Sequence, residues 1–240
     1  MFLSKPVPLA FKKNLILGSL PDKEYEHLYP YLEPIALARG ATLYGAGDTA
    51  QHAYFLVSGM ISLLAITEDG KAIEVGMVGN EGMVGLPIVL GFNIMPQLVV
   101  TQLPSAALRI KTNRLKAEFN LGGQLHDLLL RYAHTLITQL SQSASCNMFH
   151  TVKERLCRWL LIARDRVQSD TLYLTHEFVS QMIGAPRTSV TSIVGSLQRE
   201  GLVNYQRGKV IILDRAGLES ASCECYRIVK ESINRYVSAA

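Results

Sequence analysis

The chain has 240 residues, of which 48% are hydrophobic, so it can bury a sizeable core without disulfide or metal cross-links. No uncharged apolar stretch reaches the roughly 18 residues of a transmembrane helix, and the segment from Met1 to Asn14 lacks the apolar region and cleavage site of a secretory signal. The cysteines do not form a disulfide framework, so we expect a reducing, cytoplasmic location. They are Cys146, Cys157, Cys223 and Cys225.

The net charge of +4 is placed unevenly along the chain. Residues 1–145 hold 11 Lys and Arg against 11 Asp and Glu, whereas residues 146–240 hold 13 against 9. A neutral half joined to a basic half indicates that the C-terminal half contacts a polyanion.

The pattern of the N-terminal half changes near Arg39. Before it, residues 15–38 are predicted to form short helices, with Leu28, Leu32, Ile35 and Leu37 as their apolar set. After it, glycines recur between short apolar runs up to residue 110, which is typical of a small β-sandwich or barrel. The predicted strands are residues 53–57, 61–66, 72–75, 98–103 and 106–110.

A long helix is predicted over residues 113–148, with a break near its start at Gly122-Gly123. Apolar side chains at spacings of three and four form a stripe that such a small β-domain could not cover alone, so we expect two copies to pack together. The alternative is a core helix lying against its own β-domain. The candidate dimer interface is Leu125, Leu129, Tyr132, Leu136 and Leu140.

Residues 176–195 have the pattern of a helix-turn-helix. With His176 as the first place, apolar residues fill the fourth, eighth, tenth, fifteenth and eighteenth places, a small residue fills the fifth and Gly184 the ninth. The alternative is two ordinary amphipathic helices joined by a glycine turn. Further helices are predicted over residues 151–166 and 216–237, a strand over 172–174, and a β-hairpin, or wing, over 201–213.

The polar face of the second of these helices suits contact with DNA, because its side chains are short, polar or cationic. The candidate base-reading residues are Arg187, Thr188, Ser189, Thr191 and Ser192. The candidate phosphate-contacting residues are Thr175, Gln198, Arg199 and the two wing cations Arg207 and Lys209.

The order of β-barrel, long helix and winged helix-turn-helix resembles the Crp/Fnr family of bacterial transcription regulators. The most specific matches are residues 152–156, 174–190 and 197–202. The resemblance implies an α+β fold with an N-terminal β-barrel of the cyclic-nucleotide-binding, jelly-roll type. The implied domains are an effector domain (1–120), a dimerisation helix (121–148), a winged helix-turn-helix (149–220) and a C-terminal helical extension (221–240).

The resemblance also implies a function. Family members act as homodimers on palindromic operators in double-stranded DNA, and RNA polymerase is a further candidate partner. Arg187 matches the family's guanine-reading arginine, whereas Thr188 replaces a glutamate that accepts from cytosine, so we expect a different operator sequence.

Residues 76–85 resemble the start of the family's nucleotide-binding cassette, which makes Gly79, Glu81, Gly82 and Met83 the candidate effector pocket. In members that bind cyclic AMP, an arginine further on pairs with the phosphate. Residues 82–108 contain neither Arg nor Lys, and the family's base-contacting Thr-Ser pair falls on Gln139-Leu140. The sequence therefore predicts no binding of cyclic AMP or cyclic GMP, leaves open a small effector without phosphate or no effector, and favours a structural role for Glu81.

Three other functions stay open beside this one. A cyclic-nucleotide-binding module of a kinase or channel is disfavoured by the missing arginine, and an enzyme by the lack of Gly-x-Ser-x-Gly, Gly-Lys-Ser/Thr or a metal-binding His pair, so no catalytic residue is predicted. A redox regulator could pair Cys146 across a two-fold axis. Cys223 and Cys225, two apart on a predicted helix, would point to different faces, so neither a metal site nor a cofactor is predicted.

Overall fold

The computed structural model describes residues 11–238. Most of the segment on which the prediction about secretion rests, residues 1–10, lies outside the described residues. Over the described part of the chain, no helix has both the length and the hydropathy needed to cross a bilayer.

The N-terminal domain is a sandwich of two four-stranded antiparallel sheets. One sheet has the order β1-β8-β3-β6 and the other β2-β7-β4-β5. The sheets do not close into a barrel, but the jelly-roll class that the sequence predicts is confirmed. The strands are β1 (Glu33–Leu37), β2 (Thr42–Tyr44), β3 (His52–Ser58), β4 (Ile61–Ile66), β5 (Ala72–Val78), β6 (Met83–Val84), β7 (Leu98–Thr101) and β8 (Ser105–Lys111).

The segment before the sandwich differs from its prediction. Helices α1 (Leu15–Gly18) and α2 (Asp22–Leu28) are followed by strand β1, where the sequence predicted further helix. Pro34 sits in that strand opposite Leu108. A proline is tolerated there because β1 is the edge of its sheet, so the missing N–H breaks no interior pairing.

The predicted long helix is two helices, α3 (Thr112–Asn120) and α4 (Gly123–Phe149). The break falls at Gly122-Gly123, where φ is 79° and 82°, a backbone region that side chains disfavour. Helix α4 has 27 residues and is therefore about 40 Å long.

The C-terminal domain begins with α5 (Val152–Val167), whose Thr151 cap forms a reciprocal capping box with Glu154. Strand β9 (Thr171–Tyr173) precedes helices α6 (His176–Ile183) and α7 (Arg187–Arg199). Strands β10 (Val203–Gln206) and β11 (Lys209–Ile212) follow, and β9, β10 and β11 form one sheet. The single predicted terminal helix is two, α8 (Arg215–Ser220) and α9 (Glu224–Ser238), and α9 packs along α4.

The two domains share a packed interface. The buried cluster of the C-terminal domain includes four side chains of the sandwich, Met60, Leu64, Met77 and Leu103. At its centre, Trp159 of α5 donates its indole N–H to the carboxylate of Glu74 in β5. The helix-turn-helix is therefore seated on the sheet that contains β5.

Candidate nucleic-acid interface and effector domain

Helices α6 and α7 form the helix-turn-helix that the sequence predicts. Gly184 ends α6 in the left-handed conformation, with φ 59° and ψ 47°. Val179, Ile183 and Val190 are buried between the helices, whereas the predicted core positions Ala185 and Ile193 are half-buried against the same cluster. The motif places are thus filled by side chains that hold the two helices together.

The five predicted base-reading residues all lie on α7, but their side chains are not equivalent. Arg187, Thr188 and Ser192 are exposed, and Ser189 is half-buried. The Thr191 hydroxyl lies 2.9 Å from Nδ1 of the His176 ring and donates to the Arg187 carbonyl at 3.0 Å. Because its only hydrogen is already engaged, the Thr191 hydroxyl orients the His176 ring and can meet a base only as an acceptor.

His176 is a residue of this surface that the sequence pattern did not single out, because the motif sets no requirement on its first place. Its ring stacks on Tyr205 of the wing, with centroids 4.1 Å apart. Burial, and then the charge of Arg187, lower the pKa of His176 below its usual range. The ring is therefore neutral at pH 7, and it links the wing to α7 by stacking on Tyr205 and hydrogen bonding with Thr191.

The predicted phosphate-contacting residues lie around the same helix. Arg207 and Gly208 form the wing turn with φ of 47° and 75°, as in a tight two-residue hairpin, and Arg207 is exposed. Lys209 opens β11 and is half-buried. The remaining three are exposed: Thr175, which caps α6 through the Phe178 N–H, Gln198, which accepts from the Tyr205 N–H, and Arg199.

The turn between α6 and α7 touches the sandwich. A Cβ added at Gly184 would fall 2.7 Å from Cδ1 of Ile73 in β5. From the other side, the Arg155 guanidinium of α5 donates to the carbonyls of Ile183 and Gly184, which are left free at the end of α6. The left-handed conformation therefore favours glycine here, and a side chain would also have to displace the end of the Ile73 side chain.

The predicted dimer stripe is corrected by the structure. Leu125, Leu129 and Tyr132 are 4%, 0% and 2% exposed and belong to the core of their own sandwich, and Leu136 packs partly on it. Leu140 is half-buried and faces Gly76 of β5. An apolar stripe in a sequence predicts that one face of a helix is buried, but it does not identify the surface that buries it. Here that surface is the sandwich of the same chain.

The opposite face of α4 carries a second, exposed stripe. Its members are spaced alternately by four and three residues, as in a coiled-coil seam. They are Leu130, His134, Ile137, Ser141, Ala144 and Met148, all of them exposed. Leu130, Ile137 and Met148 are 43%, 57% and 76% exposed, which leaves large apolar groups in contact with water.

The predicted effector-pocket residues are occupied by contacts within the chain. Glu81 accepts from the Gly79 N–H at 3.1 Å and forms a buried ion pair with Arg166 of α5 at 2.9 Å. The Tyr132 hydroxyl donates to the Met83 carbonyl at 3.1 Å, and its ring lies where a side chain at Gly82 would be. Arg166, which the sequence did not single out, is the cation that Glu81 uses.

Gln139, the first of the two residues matched to the family's base-contacting pair, takes part in the same network. Gln139 donates to the Met77 carbonyl at 2.9 Å and accepts from Arg166 at 3.2 Å. Beside it, a cavity of about 310 Å³ lies between the turn at Asn80-Glu81 and helices α5 and α9. Of the four predicted pocket residues, only Glu81 lines that cavity.

The cysteines are arranged differently from the prediction. Cys223 precedes α9 and is not helical, so its thiol and that of Cys225 point to one place rather than to different faces. That place also holds Cys146 and His150, at the end of α4. Cys146 is 0% exposed, so it cannot pair across a two-fold axis as the redox alternative requires.

Comparison with known proteins agrees with both domains. Residues 34–120 match the family model of the cyclic nucleotide-binding domain, and residues 154–221 match that of the Crp-like helix-turn-helix domain. The chain is 26% identical to the global nitrogen regulator of Synechocystis sp. over 87% of this chain and 92% of that one. It is 27% identical to the transcriptional regulator LdrP of Thermus thermophilus over 76% and 93%.

A solved structure agrees as well. FixK2 from Bradyrhizobium japonicum superposes with a TM-score of 0.70 at 14% identity, covering 80% of this chain and 98% of that one. That similarity concerns the fold, while the two domain models and the relatives concern the sequence. The chain therefore belongs to the Crp/Fnr family of transcription regulators.

Proposed function

We propose that this regulator binds a specific DNA sequence as a homodimer, with α7 in the major groove. The observation that carries the proposal is the exposed row Arg187, Thr188 and Ser192 on a helix whose other side is locked into a buried core. The N-terminal end of such a helix is the part that meets base edges in helix-turn-helix proteins. A chain with this target acts in the cytoplasm, and RNA polymerase is its candidate partner there.

The exposed stripe of α4 supplies the dimer contact in this proposal. Two copies packed along Leu130, Ile137 and Met148 would cover apolar groups that the described chain leaves in water. A two-fold arrangement would present two α7 helices, and recognition of a palindromic operator follows from that symmetry. The named relatives are regulators of transcription, which supports the same role here.

The effector domain, in this proposal, binds neither cyclic AMP nor cyclic GMP. Glu81 is neutralised by Arg166, both side chains being less than a tenth exposed. A cyclic phosphate would have to break this pair or enter without a cation of its own, and either costs several kcal/mol. Calorimetric titration with each nucleotide tests this: we expect no heat of binding, and micromolar affinity would refute it.

The experiment that tests DNA recognition is a selection. Random duplexes bound by the full chain are recovered and sequenced over several rounds, with and without metabolites extracted from cells. We expect a palindromic sequence to be enriched. Recovery of duplexes with no common sequence under both conditions would refute specific recognition.

A further inference from the structure

Four metal-binding side chains from distant parts of the chain meet where α4 ends and α9 begins. Cys146 lies in the last turn of α4 and His150 directly after it, while Cys223 and Cys225 flank the first residue of α9. One ligand atom from each of the four lies within 4.8 Å of all the others. The three cysteines are at most 5% exposed and form a small buried cluster of their own, separate from the apolar cores of the two domains.

The distances fit a single tetrahedral ion. Zinc–sulfur bonds of about 2.3 Å and zinc–nitrogen bonds of about 2.0 Å place the ligand atoms of a regular tetrahedron about 3.5 to 3.8 Å apart. The sulfurs of Cys146 and Cys223 are 3.5 Å apart, and the sulfur of Cys225 is 3.7 Å from Nδ1 of His150. The other pairs need to close by at most about 1.3 Å, which small rotations of the side chains supply.

The histidine is oriented by a second residue. Its Nε2 lies 3.3 Å from a carboxylate oxygen of Glu224, so Nδ1 is the nitrogen turned towards the sulfurs. A carboxylate behind the other ring nitrogen is the usual companion of a metal-bound histidine, because it fixes the ring and strengthens nitrogen as a donor. Glu224 stands between the two cysteines in the sequence, so one short segment supplies two ligands and the support of a third.

A disulfide or an iron–sulfur cluster fits these four side chains less well than a single ion does. A disulfide between Cys146 and Cys223 would need their sulfurs about 2.0 Å apart. It would also not explain why Cys225 and the Glu224–His150 pair lie at the same place. An iron–sulfur cluster needs ligands spread around a body of several atoms, whereas these four converge on one point. Three thiolates and one imidazole are a common donor set of structural zinc sites.

We propose that Cys146, His150, Cys223 and Cys225 bind one zinc ion, which fastens the end of the long helix to the start of α9. None of the four lies within the residues that match the two domain models, 34–120 and 154–221, so the site belongs to the segments that join and extend those domains. Because α5 begins at Val152, the ion would also fix the connection between α4 and the DNA-binding domain.

Metal analysis of the full chain, purified without oxygen and without added metal, tests the site directly. We expect one zinc per chain in the wild type, and less than a tenth of that in Cys146→Ser and in Cys223→Ser. Cys157→Ala is the matched control, since Cys157 is buried outside the cluster, and it should keep its zinc. Iron with acid-labile sulfide, a Cys146–Cys223 disulfide, or no metal at all would overturn the proposal.

A second measurement does not depend on variants that lose a ligand. The wild type, freed of metal by a chelator, is titrated with Co²⁺ as the probe, and we expect the visible absorption of a tetrahedral thiolate site to saturate at one ion per chain. Glu224→Gln should weaken Zn²⁺ binding about 10- to 100-fold in competition with an indicator, because it loses the carboxylate behind His150. Glu231→Gln, on the exposed side of the same helix, should change nothing. Octahedral cobalt spectra, or equal affinities in the two glutamate variants, would contradict the assignment.

Discussion

The indole N–H of Trp159 donates a 2.7 Å hydrogen bond to Oε1 of Glu74, and this bond crosses from the DNA-binding domain to the effector domain. Ser62 donates to the other oxygen of the same carboxylate. Both Trp159 and Glu74 are less than a tenth exposed. The protonation state of the Glu74 carboxyl group therefore affects the stability of the interface between the DNA-binding domain and the sandwich.

The stability of this interface should depend on pH through Glu74. Burial raises the pKa of Glu74 to about 7, although its hydrogen bonds with Ser62 and Trp159 and the charges of Arg158 and Arg166 oppose the rise. The folded state therefore favours the protonated form of Glu74. Its contribution to the free energy of unfolding is complete below the usual carboxyl pKa and is lost as the pH rises through about 7. Relative to wild type, Glu74→Gln should therefore gain up to about 3 kcal/mol in free energy of unfolding between pH 5 and pH 8.

Urea unfolding of the two proteins at several pH values measures this difference, and taking the difference cancels the other titrating groups. Asp22→Asn is the control for the loss of an exposed carboxyl, whose ion pair with Lys12 is worth at most about 1 kcal/mol. A difference between Glu74→Gln and wild type that stays constant with pH would contradict the raised pKa.

The glycine between α6 and α7 should resist substitution for two separable reasons. Gly184→Ala places a side chain in the left-handed region, at a cost of about 1–2 kcal/mol, and presses it against Ile73. Gly70→Ala, at φ 80° with open space around it, should carry the backbone cost alone. Thermal unfolding should show Gly184→Ala as the less stable variant, with part of the loss recovered when Ile73→Ala is added. Equal losses of stability in Gly184→Ala and Gly70→Ala would show that the contact with Ile73 has no effect.

Arg187 should contribute affinity for one base pair in particular. Arg187→Ala should weaken binding of the selected operator by about 1–3 kcal/mol and relax the preference at one position, because a bidentate contact to guanine is lost. Arg227→Ala is the matched control, an exposed arginine of α9 that pairs with Glu231. Competition with a set of single-base operator variants measures both. Unchanged affinity and preference in Arg187→Ala would show that α7 is not the reading helix.

Lys209 should contribute affinity for any sequence. Lys209→Ala should weaken operator and unrelated DNA alike and reduce the slope of log affinity against log salt by about one, since one phosphate contact and its released counterion are lost. Fluorescence anisotropy at several salt concentrations gives that slope. A loss confined to the operator would instead identify Lys209 as a base-reading residue.

The dimer should depend on the outer stripe of α4. Ile137→Glu places a charge in the proposed seam without disturbing the core, because Ile137 is 57% exposed in the single chain. Sedimentation should show a dimer for wild type and a monomer for Ile137→Glu. Leu121→Glu, at a site 72% exposed outside the stripe, should stay dimeric. A dimer that survives Ile137→Glu would place the contact elsewhere.

How much of this could be predicted from the sequence varies with the range of the interactions. The helix-turn-helix could be predicted because its core positions, its glycine and its cap lie within about 20 consecutive residues. The side of α4 that faces the sandwich could not, since a stripe does not reveal its partner. Contacts such as Trp159–Glu74, 85 residues apart, and Cys146–Cys223, 77 residues apart, depend on the packing of whole domains.

Strand β1 could not be predicted for a similar reason. The spacing of its apolar residues fits a helix, and only pairing with β8, far along the chain, makes it a strand. The partner of Glu81 in the candidate effector pocket could not be predicted either, because Arg166 belongs to the other domain. Local spacing thus predicted the helix-turn-helix, whereas the surroundings of Glu81 depended on a contact between domains.

The most direct test of DNA reading by a dimer is the mass and sequence preference of the complex with a selected duplex. Light scattering of that complex should give two chains per duplex, and competition should show a preference of about 10³-fold or more over unrelated DNA. Single chains bound to every duplex with equal affinity would contradict it.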